Sequence, residues 1–246
     1  MERFSVDGIV IKTSVTGESD AILHILTRER GLIRAFAKGA RSAKSKLHSA
    51  SSQFCYGTWT FFENKGVYTV SEASITEGFF ALRNDLTKLS LAQYFCEVSL
   101  KCIGENIDSA EYLRLILNCL SFLCSGKKPD MLIKVVFELR FACISGYAPN
   151  LIACDECGKF ESPVMYFDCL NGNLYCDSCG KDRACPTLSL SAVTVMRHIV
   201  FSEFRNIFSF TADDETLKAV SKLTALYLKN CTQQNFKTLQ YLLSIE

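Results

Sequence analysis

Two short strings in the second half of the chain are near copies of one another, Cys154-Asp-Glu-Cys157-Gly158-Lys159 and Cys176-Asp-Ser-Cys179-Gly180-Lys181. Their spacing, C-x2-C-x18-C-x2-C, is that of a four-cysteine zinc site. Two residues between cysteines let a tight knuckle aim both sulfurs at one ion, and the glycine behind each pair is placed to supply a positive φ. Four thiolates complete a tetrahedral shell with no position left for water. The expected ion is therefore a single structural Zn2+ on Cys154, Cys157, Cys176 and Cys179. Between the knuckles, Val164 to Tyr175 alternates around Asn171-Gly172, a favoured hairpin turn. This predicts a zinc ribbon at about residues 150–182, with an apolar core too small to fold without its ion. Cys169 reads as a hairpin residue or as a substitute ligand, and Cys185 is equally open. The rival chemistry for a C-x-x-C pair is thiol–disulfide exchange. Redox pairs, however, stand singly at a helix N-terminus after a strand, not twice with glycines behind.

The second chemical feature is charge. The chain holds 27 Lys and Arg against 26 Asp and Glu, a net of +1. That balance hides an asymmetry: residues 1–46 carry nine basic and five acidic side chains, leaving the other 200 residues at −3. Within residues 28–46, Arg28, Arg30, Arg34, Lys38, Arg41, Lys44 and Lys46 face only Glu29. Such local imbalance points to nucleic-acid contact. Arg34, Phe36 and Lys38 alternate onto one strand face, a ring between two cations, the combination with which OB surfaces hold single strands. Phe36 taken alone also fits a core position at the barrel end.

These groups must be positioned by recognisable elements. Residues 6–11, 21–26, 32–38, 54–63 and 67–75 read as five strands, with turns at Gly17, Gly31 and Asn64-Lys65-Gly66. Five strands in about 75 residues suit a small barrel of the OB type. Gly39 to Gln53, rich in Ser, Ala and Lys, is a long connection of the kind that is functional or mobile, and it is expected to be a flexible loop able to close over a backbone. From Leu82 the apolar spacing becomes helical, with helices opening at Asp85 or Thr87, at Asp108 or Ser109, and at Asp130, and closing near Gly104, Gly126 and Gly146. Further helices are expected at 191–201, 213–229 and 236–245. The fold class predicted is multi-domain α+β: an N-terminal five-stranded OB-type β-barrel over residues 1–80, then a helical bundle domain over 81–246 carrying the four-Cys zinc ribbon.

Little supports enzyme chemistry. His24, His48 and His198 lack any ligand-like or triad-like setting, and no phosphate-binding glycine motif is present. Asp213-Asp214-Glu215 begins a helical pattern, where acids favour the positive end of the dipole. No apolar run is long enough to span a membrane, and the N-terminus lacks signal-peptide architecture. Thirteen cysteines without a leader fit free thiols in a reducing cytoplasm.

Gly8-Ile9-Val10-Ile11-Lys12, Gly17-Glu18-Ser19-Asp20, Leu26-Thr27-Arg28-Glu29, Gly31-Leu32-Ile33-Arg34 and Ala37-Lys38-Gly39-Ala40-Arg41 stand in an order that resembles the RecO family of bacterial recombination mediators. The resemblance extends over the whole chain as barrel, helical body and ribbon. It implies DNA repair and recombination: binding of single- and double-stranded DNA, annealing of complementary strands, and partnership with RecR. It also implies help in loading RecA onto DNA coated by single-strand binding protein, in the bacterial cytoplasm and at the nucleoid. The DNA contacts that the resemblance implies are Arg34, Lys38, Arg41, Lys44 and Lys46, to which the charge run and the strand face add Arg28, Arg30 and Phe36 as candidates. Two other classes stay open: an RNA-binding OB and zinc-ribbon protein of translation or transcription, and a zinc or thiol enzyme.

Overall fold

A computed structural model describes residues 2–245 of the chain. Five strands, β1 (Glu2–Thr16), β2 (Asp20–Thr27), β3 (Leu32–Ala37), β4 (Tyr56–Asn64) and β5 (Val67–Glu77), form a closed barrel in the order β1-β2-β3-β5-β4. Closure depends on β1, whose first half pairs with β4 and whose second half pairs with β2. An irregularity between Val10 and Lys12 lets the strand bend between its two partners. A short parallel contact, Ala35 with Tyr68 and Phe36 with Thr69, joins β3 to β5. The interior holds Val10, Leu23, Ile25, Ile33, Ala35, Trp59 and Phe61. Trp59 is fully buried and its indole N–H donates to the Gly8 carbonyl at 3.0 Å, so the ring is buried without an orphaned polar atom.

The β3–β4 connection corrects an expectation. It is a run of hydrogen-bonded turns rather than an open loop. Consecutive turns run from Gly39 to Cys55, closed by bonds such as Ser42 N–H to Gly39 O, Ser45 N–H to Ser42 O and Ser51 N–H to Leu47 O. Ala40, Leu47, Ala50 and Cys55 drop into the barrel core. These small apolar side chains pin the segment, while Lys44 and Lys46 remain on its exposed side.

The chain forms two compact units, residues 1–124 with 236–246, and residues 125–235. The first contains the barrel, α1 (Leu86–Cys102), α2 (Ala110–Ser125, its last residue excepted) and α7 (Lys237–Ile245). Asp85 caps α1 by accepting from Lys88 N–H, and Asp108 accepts from Ala110 N–H at the start of α2. The chain's end is fastened by a carboxylate. Glu97 of α1 accepts from the N–H groups of Lys237 and Thr238 and from the Thr238 hydroxyl, and pairs with Lys101 at 2.7 Å. Burial alone would raise the Glu97 pKa, but Lys101, the Thr238 hydroxyl and the two N–H groups overcome it and hold the group at about 2. A depressed carboxylate stabilises the fold above its unfolded value and loses that contribution as pH falls through the folded one. Unfolding midpoints should therefore decline between about pH 4.5 and about pH 2. E97Q should cost about 1.5–3 kcal/mol at neutral pH and flatten that acid limb, as read by denaturant titration at several pH values.

The second unit contains α3 (Asp130–Ile144), the short β6 (Met165–Asp168), β7 (Asn173–Cys176), α4 (Asp177–Gly180) and β8 (Thr187–Leu188), then α5 (Leu190–Phe201) and α6 (Asp214–Thr232). α3 is buried on nearly every side, including Lys134 and Glu138. That ion pair, at 3.0 Å, is completed by the Ser221 hydroxyl and carbonyl on Lys134 and by the Thr224 hydroxyl on Glu138, so neither charge is left unmatched inside the unit. Asp213 caps α6 by accepting from the Thr216 N–H and hydroxyl, and Asp214 and Glu215 occupy its first turn, the arrangement the acidic triplet predicted.

Candidate functional site

The four predicted cysteines converge. The sulfurs of Cys154, Cys157, Cys176 and Cys179 all lie within 4.8 Å of one another, with Cys157 and Cys176 3.6 Å apart. The first knuckle is closed by Gly158 N–H to Cys154 O and by Cys154 N–H to Lys159 O, both 2.9 Å, with Gly158 at φ 72°. The second differs from the expected copy. Cys176 ends β7 and Cys179 lies in the single helical turn α4, so Gly180 does not need a positive φ. Glycine is required there for space, because a Cβ would run into the ring of Tyr166. Two ion pairs latch one knuckle to the other, Lys159 to Asp177 at 3.3 Å and Arg183 to Glu156 at 2.8 Å.

The thiols do not ionise alike. Burial opposes ionisation of Cys154, but the N–H groups of Cys157, Cys176 and Glu156 outweigh it and bring the thiol down to about 6. Cys176 is also lowered, chiefly by the Cys179 N–H. Cys179 is pushed up to about 12 by the sulfurs of Cys157 and Cys176. Ionisation of the lowered thiols thus opposes that of their neighbours, and a divalent cation is the species that lets all four become thiolates. The donor set fits a metal ion.

The ribbon hairpin is longer than the Asn171-Gly172 pattern implies. Residues 169–172 connect β6 to β7, and the Asp168 carboxylate accepts from the N–H groups of Leu170 and Asn171. Cys169 is buried against the Phe167 carbonyl, and its own carbonyl accepts from the Asn230 side chain. Neither Cys169 nor Cys185 belongs to the metal-ligating group found among the described residues.

The basic residues divide into two sets. Arg28 lies 3.7 Å from Asp7. Arg30 is engaged by Glu2 at 3.7 Å and Glu63 at 3.6 Å, and its guanidinium stacks 3.8 Å from the Phe4 ring centroid. Those two arginines close the barrel's own surface. Arg34, Lys38, Lys44 and Lys46 are exposed, and none has a carboxylate within 4.0 Å among the described residues. Arg41 is also exposed, held by the Glu18 carbonyl at 3.1 Å. Phe36 faces outward between Arg34 and Lys38 and is half-buried, outside the barrel core. The strand register adds residues that the sequence pattern did not single out: Lys12 stands opposite His24, and His24 opposite Arg34.

Comparison with known proteins identifies the family of the chain. Residues 1–79 match the family model Recombination protein O N terminal, and residues 83–240 match Recombination protein O C terminal. The chain belongs to the RecO family. A DNA repair protein RecO from Acetivibrio thermocellus is 33% identical over 247 residues, covering 100% of this chain and 98% of the relative. One from Dehalococcoides mccartyi is 28% identical, covering 98% and 96%. Another from Symbiobacterium thermophilum is 27% identical, covering 98% and 97%. The RecO match takes in both the barrel and the ribbon. No described helix is long and apolar enough to cross a membrane.

Proposed function

We propose that this RecO-family protein is a non-catalytic recombination mediator that binds single- and double-stranded DNA and anneals complementary strands. It works with RecR to load RecA onto DNA coated by single-strand binding protein, in the cytoplasm and at the nucleoid. Residues 1–80 act as the DNA-binding domain and residues 81–246 as the helical domain. The observation that carries the reading is the outward row of Arg34, Phe36 and Lys38, continued by Arg41, Lys44 and Lys46 on a segment pinned to the barrel. Arg28 and Arg30 contribute at the margin, where their carboxylate partners already neutralise part of their charge.

The physics is electrostatic. Two strands approaching one another are opposed by phosphate repulsion, and exposed cations lower that barrier by displacing condensed counterions. A half-exposed ring offers stacking to any base without reading its identity. Watson–Crick edges stay available where the contacts are made to the backbone rather than around the bases. In the ribbon, one zinc ion on Cys154, Cys157, Cys176 and Cys179 supplies a closed tetrahedral anchor, since an all-sulfur set favours zinc and leaves no site for substrate.

Competition between DNA and RNA of identical sequence tests this reading against a role in translation or transcription. Single-stranded DNA is expected to displace a labelled DNA strand at least as well as its RNA counterpart. RNA displacing it an order of magnitude more effectively would transfer the assignment to the RNA-binding class.

A further inference from the structure

Directly opposed residues on adjacent antiparallel strands hold their Cβ atoms about 4.5–5.5 Å apart, and like charges so placed repel. Lys12 on β1 opposes His24 on β2, which opposes Arg34 on β3. Three groups able to carry positive charge therefore stand side by side across three strands. The groups facing His24 are Lys12 from one flanking strand and Arg34 from the other. No carboxylate lies within 4.0 Å of Lys12, His24 or Arg34 among the described residues. The ring itself is half-buried, and its Nδ1 is shielded from solvent with no hydrogen-bond partner among the described residues. The next register row brings Ser14, Ile22, Phe36 and Thr69 alongside, so the cations border a patch that includes the outward ring.

A row of this kind lacks a counter-charge. An anion laid across it removes the repulsion between all three members at once. We propose that Lys12, His24 and Arg34 form one phosphate-gripping row and that His24 takes up a proton as a nucleic-acid backbone seats on it. The inference rests on the DNA-binding reading and adds to it two contact residues and a proton-linked step. Burial, then Lys12, then Arg34 all push the imidazole below its usual pKa, so the free protein carries it neutral near pH 7. A phosphodiester, already ionised throughout this range, reverses the sign of the local field. The neutral imidazole then takes up one proton from bulk solvent, and releases it when the strand leaves. The sign follows: binding tightens as pH falls, across the window between the free and bound pKa values of His24.

The test uses the full chain and oligothymidylate, whose base does not titrate in this window. Affinity is measured at fixed ionic strength from about pH 8 to about pH 5.5. The expected gain is about three- to tenfold, bounded by a factor of ten per pH unit for one linked proton. Calorimetry in buffers of different ionisation enthalpy should show a fraction of a proton taken up per strand bound, a reading that needs no variant. H24Q should abolish both the gain and the uptake, H48Q should keep them, and K12Q should lower the log–log salt slope by about 0.7. Binding with no proton uptake, or uptake that survives H24Q, overturns this inference and leaves the DNA-binding reading standing. Failure to bind the strand at any pH overturns both.

Discussion

Replacing Lys38, Arg41, Lys44 and Lys46 together by glutamine is expected to reduce the log–log salt slope of single-stranded DNA binding by about 2.8, at about 0.7 per lost phosphate contact. Affinity in low salt should fall by roughly two to three orders of magnitude, and the wild-type and variant curves should converge as salt rises. The four side chains are exposed and none contributes to the barrel core, so the variant should unfold at the same temperature as the parent. Arg41 has the smallest share of this effect to give, because its guanidinium is partly engaged by the Glu18 carbonyl. The parallel variant R28Q/R30Q should change the slope less and the stability more. Its arginines are committed to Asp7, Glu2 and Glu63, and Arg30 covers the Phe4 ring. An unchanged slope in the fourfold variant would mean that the DNA path lies elsewhere on the molecule.

The second large effect concerns the ribbon. Purified without chelator, the protein should contain one zinc per chain, and C176S should eliminate it. Structural zinc contributes on the order of 10 kcal/mol or more in small metal-dependent domains. The ribbon is also part of the second unit's own packing. Phe167 lies edge-on to Tyr227 of α6 at 5.5 Å, and Arg197 of α5 donates to the carbonyls of Leu151, Ile152 and Phe160. Loss of the ion should therefore loosen α5 and α6 as well. If only about 4 kcal/mol of the metal's contribution is lost from the folded unit, the midpoint falls by about 10 °C or more. C169S and C185S should retain stoichiometric metal. Elemental analysis that finds no zinc, or a C176S protein that melts with the parent, would refute the assignment.

How far these features were legible in the sequence depends on how far apart the cooperating residues are. The Leu32 to Lys38 strand declared its two faces, because side chains alternate with a period of two and Ile33, Ala35 and Ala37 are apolar. The four-cysteine spacing declared its convergence, since each pair is local and only one long loop had to close. The helix starts near Asp85 and Asp213 were readable for the same reason of short range. Partner choice across the barrel was not. Nothing near Arg30 in the sequence indicates that strand closure brings Glu2, Phe4 and Glu63 to it. The Lys12–His24–Arg34 row likewise exists only once the register of β1, β2 and β3 is fixed. The β3–β4 segment misled through composition. Its Ser, Ala and Lys content looks solvated, yet Leu47 and Ala50, three residues apart, already mark the buried side of a turn. Gly180 misled through symmetry: two similar strings fold by different geometries, one needing a positive φ and the other needing room for Tyr166.

The most direct test of the central claim is the annealing rate of complementary DNA strands coated by single-strand binding protein, with and without the chain and with RecR added to each. The account predicts a rate increase of at least tenfold over the coated strands alone, lost in the Lys38, Arg41, Lys44 and Lys46 variant and altered by RecR. Strands that anneal no faster with the protein than without it would contradict the account.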